Sequence, residues 1–153
     1  MKTLVIDTCT NRIIVALADN STIFSFCNEI IENQMSNIIM EKVEKCFLEA
    51  NMKPDDVDRI LVAVGPGSYT GIRIGVTIAK TYAWALKTQI LPISSLEVMI
   101  SGYEDDKLLD SKKPQIDIIK LINRHLNDKG VNPHSLNPVY LKKTEAEENL
   151  KHD

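Results

Sequence analysis

Short apolar runs alternate with amphipathic stretches along the chain, and this order predicts an α/β fold. Apolar runs rich in β-branched residues and bounded by polar turn residues are typical of strands. Five such runs occur, at 3–6, 12–17, 21–26, 60–64 and 89–93. Asp19-Asn20 lies between the second and third runs and favours a tight hairpin. We therefore expect an antiparallel meander followed by strands that alternate with helices.

Apolar residues at helical spacing predict two long helices, at 34–50 and 71–86. A capping-box pattern at Ser94 to Glu97 opens a third helix, and Pro114 opens a fourth that ends at Gly130. Between the last two lies a polar stretch without periodicity. We divide the chain into a main domain at 1–100, a linker at 101–113, and a C-terminal helix and tail at 114–153 with a short strand at 137–141.

The second long helix carries small residues every four positions, which would let another backbone approach closely. Apolar residues flank this stripe, so most of the helix circumference should be covered, by the chain's own sheet on one side and by a second subunit on another. The hypothesis of a subunit interface rests on one apolar stripe from each long helix: Met35, Ile39, Val43, Cys46, Gly71, Gly75, Ala79, Tyr82 and Ala83.

A glycine-rich block, Gly-Pro-Gly-Ser-Tyr-Thr-Gly-Ile-Arg-Ile-Gly at 65–75, joins a predicted strand to a predicted helix. Such a turn suggests phosphate binding, because helix-start amides point at an anion. Three standard motifs fail: the Walker lysine is absent after Gly71, the dinucleotide fingerprint lacks its acid, and Ser68 lacks the flanking glycines of a nucleophile elbow. The alternative is structural: the glycines serve only a tight turn and close packing.

Asp7-Thr8 follows the first predicted strand, where an actin-like ATPase keeps its magnesium-side carboxylate. An ordinary turn aspartate is the other interpretation. A nucleotide site would combine this pair with the glycine block: Asp7, Thr8, Gly65, Gly67, Ser68, Thr70 and Arg73.

Composition narrows the function classes. A net charge of -3, from 18 basic and 21 acidic side chains, argues against a domain that holds nucleic acid through a broad basic surface. Three scattered cysteines without a paired motif favour a reduced, cytoplasmic protein, and no apolar run is long enough to span a membrane. The histidines (His125, His134 and His152) lack ligand spacing, so the sequence predicts no metal site.

Several of these segments together resemble the bacterial TsaB (YeaZ) family. They are Asp7-Thr8, the first long helix, the block at 64–75, Ile-Ser-Ser-Leu at 93–96 and Pro-Val-Tyr-Leu at 138–141. The Gly-Pro-Gly-Ser-aromatic-Thr-Gly-x-Arg block is the most specific of these. The resemblance implies an actin-like, RNase H-type fold with a mixed sheet and helices packed on it.

The resemblance also implies a function. Family members are cytoplasmic, non-catalytic subunits needed to make threonylcarbamoyladenosine beside the anticodon of tRNAs that read ANN codons. They dimerise, through the long first helix and the helix after the glycine block, with the ATP- and metal-binding transferase TsaD, and the small ATPase TsaE joins them. The chain would then need no cofactor of its own and would meet tRNA only within the complex.

Two departures from the family matter. The histidine pair that holds metal in the TsaD paralogue has no counterpart at 32–40, and family members are usually longer, so the second actin-like half is expected to be truncated here. A homodimer of the isolated chain stays open. So does the alternative function, a small actin-fold ATPase or kinase that binds nucleotide at Asp7, Thr8 and the glycine block.

Overall fold

A five-stranded mixed sheet forms the centre of the computed structural model, which describes residues 1–32, 35–103 and 114–136. The strand order is β3-β2-β1-β4-β5. The strands are β1 (Thr3–Asp7), β2 (Arg12–Ala18), β3 (Ile23–Ile30), β4 (Arg59–Ala63) and β5 (Gln89–Ile93). The predicted α/β class and actin-like fold are confirmed, and the five strands lie at the five runs predicted for the main domain.

In the described part of the chain, four helices accompany the sheet: α1 (Met35–Ala50), α2 (Tyr69–Leu86), α3 (Ser95–Ile100) and α4 (Ile118–Arg124). Short 3-10 turns lie at Pro54–Asp56 and Pro133–Ser135. The long helices fall where the apolar spacing predicts them. The fourth helix is shorter than predicted, and the predicted strand at 137–141 lies outside the described residues, as does most of the linker.

Strand direction brings the sequence motifs to one edge of the sheet. β1 pairs antiparallel with β2 and parallel with β4, and β4 pairs parallel with β5. The carboxyl ends of β1, β4 and β5 therefore meet at one edge, the usual location of a site in an open α/β sheet. Asp7 ends β1 there, and the glycine block follows β4.

Helices cover both faces of the sheet. Gly75 of α2 lies against Ile6 of β1, whereas the Arg59 guanidinium donates to the His125 carbonyl oxygen just after α4. Ile6 pairs in register with Val62, and alternate strand residues point to opposite faces, so α2 and α4 lie on opposite sides. α1 packs beside α2, over β2 and β3.

The core is continuous across the predicted boundaries. All five residues of β1 and of β4 are buried, as expected for strands covered on both faces. Ile118, Leu121 and Ile122 of α4 join the same core as the strands. Residues 114–136 thus pack directly on the sheet of the main domain.

The third strand begins two residues later than predicted. The Asp19 carboxylate accepts hydrogen bonds from the backbone amides of Ser21 and Thr22, at 2.9 and 2.6 Å. These bonds hold both residues in the hairpin turn, because a short acidic side chain mimics a turn of backbone. The strand then continues to Ile30.

Candidate functional site

The glycine block turns the chain sharply between β4 and α2. Gly65 has a φ of 121°, a conformation that side chains with a Cβ rarely adopt. The Ser68 amide donates to the Cys9 carbonyl oxygen at 2.7 Å, and the Ser68 hydroxyl accepts from the Gly71 amide at 3.1 Å. Ser68 therefore caps α2 and ties the loop to the end of β1.

Close approach explains the glycines inside α2. A Cβ at Gly71 would overlap the Thr8 carbonyl oxygen, and one at Gly75 would overlap the Thr8 hydroxyl. The same hydroxyl donates to the Gly71 carbonyl oxygen at 2.5 Å. The first turns of α2 therefore lie directly on the carboxyl end of β1, which any larger residue would push away.

The small-residue stripe therefore faces the chain's own sheet. Seven of the nine predicted interface residues are buried within the chain: Ile39, Val43, Cys46, Gly71, Gly75, Ala79 and Ala83. They offer no surface to a second subunit. Helical spacing shows that one face of α2 carries small side chains, but it does not show which neighbouring element packs against that face. Met35 and Tyr82 are half-buried.

Asp7 is enclosed at the centre of this edge, with 1% of its surface exposed. Its Oδ1 accepts from the Cys9 amide at 2.9 Å, and its Oδ2 has no hydrogen-bond partner among the described residues. Burial raises the pKa of the carboxyl group. Burial, helped by the neighbouring Asp7, also raises the pKa of the Cys9 thiol, so a reactive thiolate is disfavoured.

A cleft of about 620 Å³ lies beside this edge, between the β1–β2 turn, the start of α1 and the glycine block. Three of the predicted nucleotide-binding residues line it: Gly67, Ser68 and Thr70. Gly71 and the half-buried Met35, both from the predicted interface set, line it as well.

Four predicted nucleotide-binding residues, Asp7, Thr8, Gly65 and Arg73, do not line this cleft. Arg73 is exposed; its guanidinium donates to the Tyr69 hydroxyl at 2.8 Å and stacks over that ring at 5.4 Å. Glu32 adds a carboxyl group to the cleft wall. A negative group at this position opposes a bound phosphate.

A network that the sequence analysis missed joins α3 and α4. The His125 ring places Nε2 at 2.5 Å from a Glu97 carboxylate oxygen and Nδ1 at 2.6 Å from Asp128. The buried Arg59 donates to the His125 carbonyl oxygen, and burial lowers the pKa of Arg59. Glu97 thus contacts α4 rather than completing a capping box. The partners are too distant in sequence for a spacing motif to show them.

The outer surface between α1 and α2 is an apolar groove, which we call the α1–α2 groove. Its deepest part has a volume of about 310 Å³ and is lined by Met40, Thr77, Ile78, Thr81, Tyr82 and Ala85. The Tyr82 ring stacks on Phe47 of α1 with centroids 6.1 Å apart. The groove continues along α2 past Ile74 to Arg73.

The described residues hold no cluster of three or more histidine, cysteine or acidic side chains placed to bind a metal ion. None of the described helices is both long enough and apolar enough to cross a membrane.

Comparison with known proteins agrees with this architecture. The family described as "TsaD: tRNA N6-adenosine threonylcarbamoyltransferase" matches residues 26–116. The Bacillus subtilis (strain 168) protein named "tRNA threonylcarbamoyladenosine biosynthesis protein TsaB" is 37% identical over 121 residues, covering 76% of this chain and 53% of that protein. The chain thus spans about half the length of this curated relative.

Two solved structures share the fold. "YeaZ from Pseudomonas aeruginosa" superposes with a TM-score of 0.62 at 28% identity, over 65% of this chain and 46% of that one. A protein described as having "similarity to peptidase YEAZ from Pseudomonas aeruginosa" reaches a TM-score of 0.77, at 17% identity, over 92% of this chain and 99% of that one. On the family match, the sequence identity and the shared fold, the chain belongs to the TsaD family of actin-like proteins, within its TsaB (YeaZ) group.

Proposed function

We propose that this chain is a non-catalytic dimerisation subunit of the complex that makes threonylcarbamoyladenosine beside the anticodon of ANN-reading tRNAs. Membership of the TsaB (YeaZ) group supports the pathway, since the Bacillus subtilis relative is named for that biosynthesis. The α1–α2 groove supports the role. It is the observation that carries the proposal.

The groove has the shape and chemistry of a helix-docking surface. Small residues in its floor, Thr77, Thr81 and Ala85, leave a furrow bordered by Met40 and Tyr82. Amphipathic helices bind such furrows through apolar residues at helical spacing. Met40 is 40% exposed, so a partner would remove apolar surface from water.

The partner in this proposal is the TsaD transferase subunit. That subunit would supply the ATP and metal sites, with the TsaE ATPase joining the pair and tRNA held for modification only within the complex. The same groove could hold a second copy of this chain when the transferase is absent. Cytoplasmic location belongs to the same proposal.

Copurification with the transferase tests the proposal. We expect a stable heterodimer by size-exclusion chromatography, and Thr81→Glu should weaken it at least about tenfold, because it places a charge in the apolar floor. Asn20→Glu is the matched control: it adds the same charge on an exposed turn away from the groove. Separate elution of both wild-type proteins, or undiminished binding by Thr81→Glu, would contradict the proposal.

The nucleotide-binding alternative rests on the cleft beside the glycine block. Gly67, Ser68 and Thr70 are exposed there at the start of a long helix. Calorimetry with Mg²⁺ and ATP on the isolated chain tests it. Binding that is strengthened by Glu32→Gln, which removes the opposing charge, would favour an ATPase or kinase. Absence of heat at high micromolar ATP would eliminate this function.

A further inference from the structure

A second cleft lies at the opposite end of α2, between its last turn and the segment at 131–136. We call it the α2-end cleft. Its volume is about 540 Å³, and it is lined by Ala83, Trp84, Ala85, Lys87, Thr88, Asn132, Pro133 and His134. The predicted motifs contribute only the buried Ala83 to it.

The wall opposite α2 is held in place by bonds to the core. The Val131 amide donates to the Ile90 carbonyl oxygen at 2.7 Å, and Leu136 is buried with 3% of its surface exposed. Lys80 of α2 donates to the Leu136 carbonyl oxygen at 3.3 Å. Both walls are therefore fixed to the same core, and the cleft is preformed.

An exposed aromatic ring forms the main surface of the cleft. Trp84 is the single tryptophan of the chain, and 68% of its surface is exposed. A flat indole left open to solvent is suited to stacking on another planar group. Pro133 contributes a second flat, rigid surface across the cleft.

The polar lining is basic or neutral. Lys87 and His134 line the cleft, and none of the described residues that line it is acidic. Among the described residues, no hydrogen bond or ion pair is recorded for the Lys87 ammonium or the His134 ring. The Thr88 hydroxyl oxygen is buried and has no hydrogen-bond partner within the described part of the chain. The Lys87 ammonium and the His134 ring are thus available to a ligand.

These features match one nucleotide of a single strand. An aromatic platform binds an unpaired base by its face, and a neighbouring cation binds the phosphate. A paired base in a duplex shows only its edge and cannot stack on Trp84. We propose that the α2-end cleft binds an unpaired segment of RNA, with one base on Trp84 and a phosphate beside Lys87. The choice of RNA rests on the proposed function.

The overall charge agrees with a local contact. A chain of net charge -3 lacks a broad basic surface, so the affinity should come from stacking and a single phosphate contact. We expect modest affinity for the isolated chain and a shallow dependence on salt concentration. Within the complex this contact would add to those of the other subunits.

Tryptophan fluorescence of the full chain gives a direct test, since all of its signal comes from Trp84. The probes are a short single-stranded oligoribonucleotide and a long duplex RNA at the same nucleotide concentration, in which few base pairs lie at an open end. We expect the single strand to quench the fluorescence in a saturable way and the duplex to leave it nearly unchanged. Absence of quenching at high micromolar RNA, or equal quenching by the duplex, would overturn the proposal.

Variants are compared by anisotropy of labelled single-stranded RNA. Trp84→Ala should lower the affinity about tenfold, because stacking is lost from an exposed position that the fold does not need. Lys87→Gly should lower it severalfold and reduce the slope of log affinity against log salt by about 0.7. Lys45→Ala, on the exposed surface of α1, is the matched control and should bind as the wild type does. Wild-type affinity in Trp84→Ala would overturn the proposal.

Failure of this inference can be told apart from failure of the proposed function. If the transferase binds but RNA does not quench Trp84, the dimerisation role stands and the RNA site is wrong. If RNA binds through Trp84 and Lys87 but the transferase does not, the RNA site stands alone. Met40→Glu, which alters the α1–α2 groove from the α1 side, should leave quenching by RNA unchanged.

Discussion

The two ends of α2 use their polar groups in opposite ways. At the amino end, Thr8, Ser68 and Gly71 form hydrogen bonds with one another or with the adjoining backbone. The space beside the glycines of α2 is occupied by the end of β1. At the carboxyl end, Trp84 is open to solvent and the Thr88 hydroxyl has no partner among the described residues. The amino end is closed by its own contacts, apart from the buried Oδ2 of Asp7, whereas the carboxyl end exposes an aromatic ring beside Lys87 and His134.

This difference shows that a recognisable sequence motif does not have to mark the place where side chains are free to bind a ligand. The glycine block looks like a phosphate site, yet most of its glycines are required because α2 packs closely on β1. A ligand site needs polar groups that the fold leaves unpaired, because groups already bonded must exchange partners to bind anything. The carboxyl end of α2 meets that requirement without carrying a motif.

The largest expected effect on stability comes from placing a large side chain at the closely packed amino end of α2. Gly75→Leu should lower the free energy of unfolding by at least about 3 kcal/mol or prevent folding, because its side chain would occupy the space of Thr8 and Ile6. Urea denaturation followed by circular dichroism measures this. Thr81→Leu, on the exposed face of the same helix, should change stability by less than about 0.5 kcal/mol. Equal stability of both variants would contradict the packing described for α2.

The same threonine substitution at the two ends should give different results. Thr8→Val removes the hydroxyl that bonds to Gly71 and should cost about 1 to 3 kcal/mol of stability. Thr88→Val removes a buried hydroxyl that has no described partner, so stability should stay the same or rise. Thermal unfolding of both variants measures the difference. A larger loss at Thr88 would show that the contrast between the ends is wrong.

The pH dependence of stability tests the enclosure of Asp7. Burial raises the folded-state pKa of its carboxyl group above the ordinary value of 3.8, so the folded state holds the proton more tightly than the unfolded state does. This contribution is fully present below the ordinary value and is lost as the pH rises through the folded-state pKa. Asp7→Asn cannot ionise and should remove this loss.

Urea denaturation at acidic and at neutral pH measures that effect as a difference between the two proteins. Other carboxyl groups titrate equally in both, so subtraction isolates Asp7. We expect Asp7→Asn to gain stability relative to the wild type as the pH rises. A difference that does not change with pH would mean that the folded-state pKa of Asp7 is not raised.

Much of the fold follows from the sequence because burial imposes a period on each element. The run at 60–64 predicts a strand covered on both faces, and β4 has that environment. The spacing of apolar residues likewise locates α1 and α2. What periodicity does not give is the identity of the neighbour: the stripe from Gly71 to Ala83 fits a sheet or a second subunit equally well.

The candidate sites were harder to predict because they join distant residues. Glu97 and His125 are 28 positions apart and on different helices, and the α2-end cleft needs the turn at Pro133–Ser135 beside α2. One signal was present in the sequence. Trp84 occupies a position on the polar side of an amphipathic helix, with Arg73 and Thr77, where a large aromatic residue has no core to enter.

The smallest expected effect concerns the backbone at the open end. Lys87 ends α2 in a left-handed conformation, with a φ of 55°, where glycine is normally favoured. Lys87→Gly should therefore stabilise the fold by up to about 1 kcal/mol, less the entropy that glycine adds to the unfolded chain.

Thermal unfolding measures that gain, and Asn51→Gly is the comparison. Asn51 has a similar φ of 53°, but asparagine tolerates this conformation, so its replacement should give a smaller gain. A loss of stability in Lys87→Gly would show that the lysine side chain supports the helix end. Combined with weaker RNA binding, a gain would mean that the open end of α2 retains a residue that favours binding over stability.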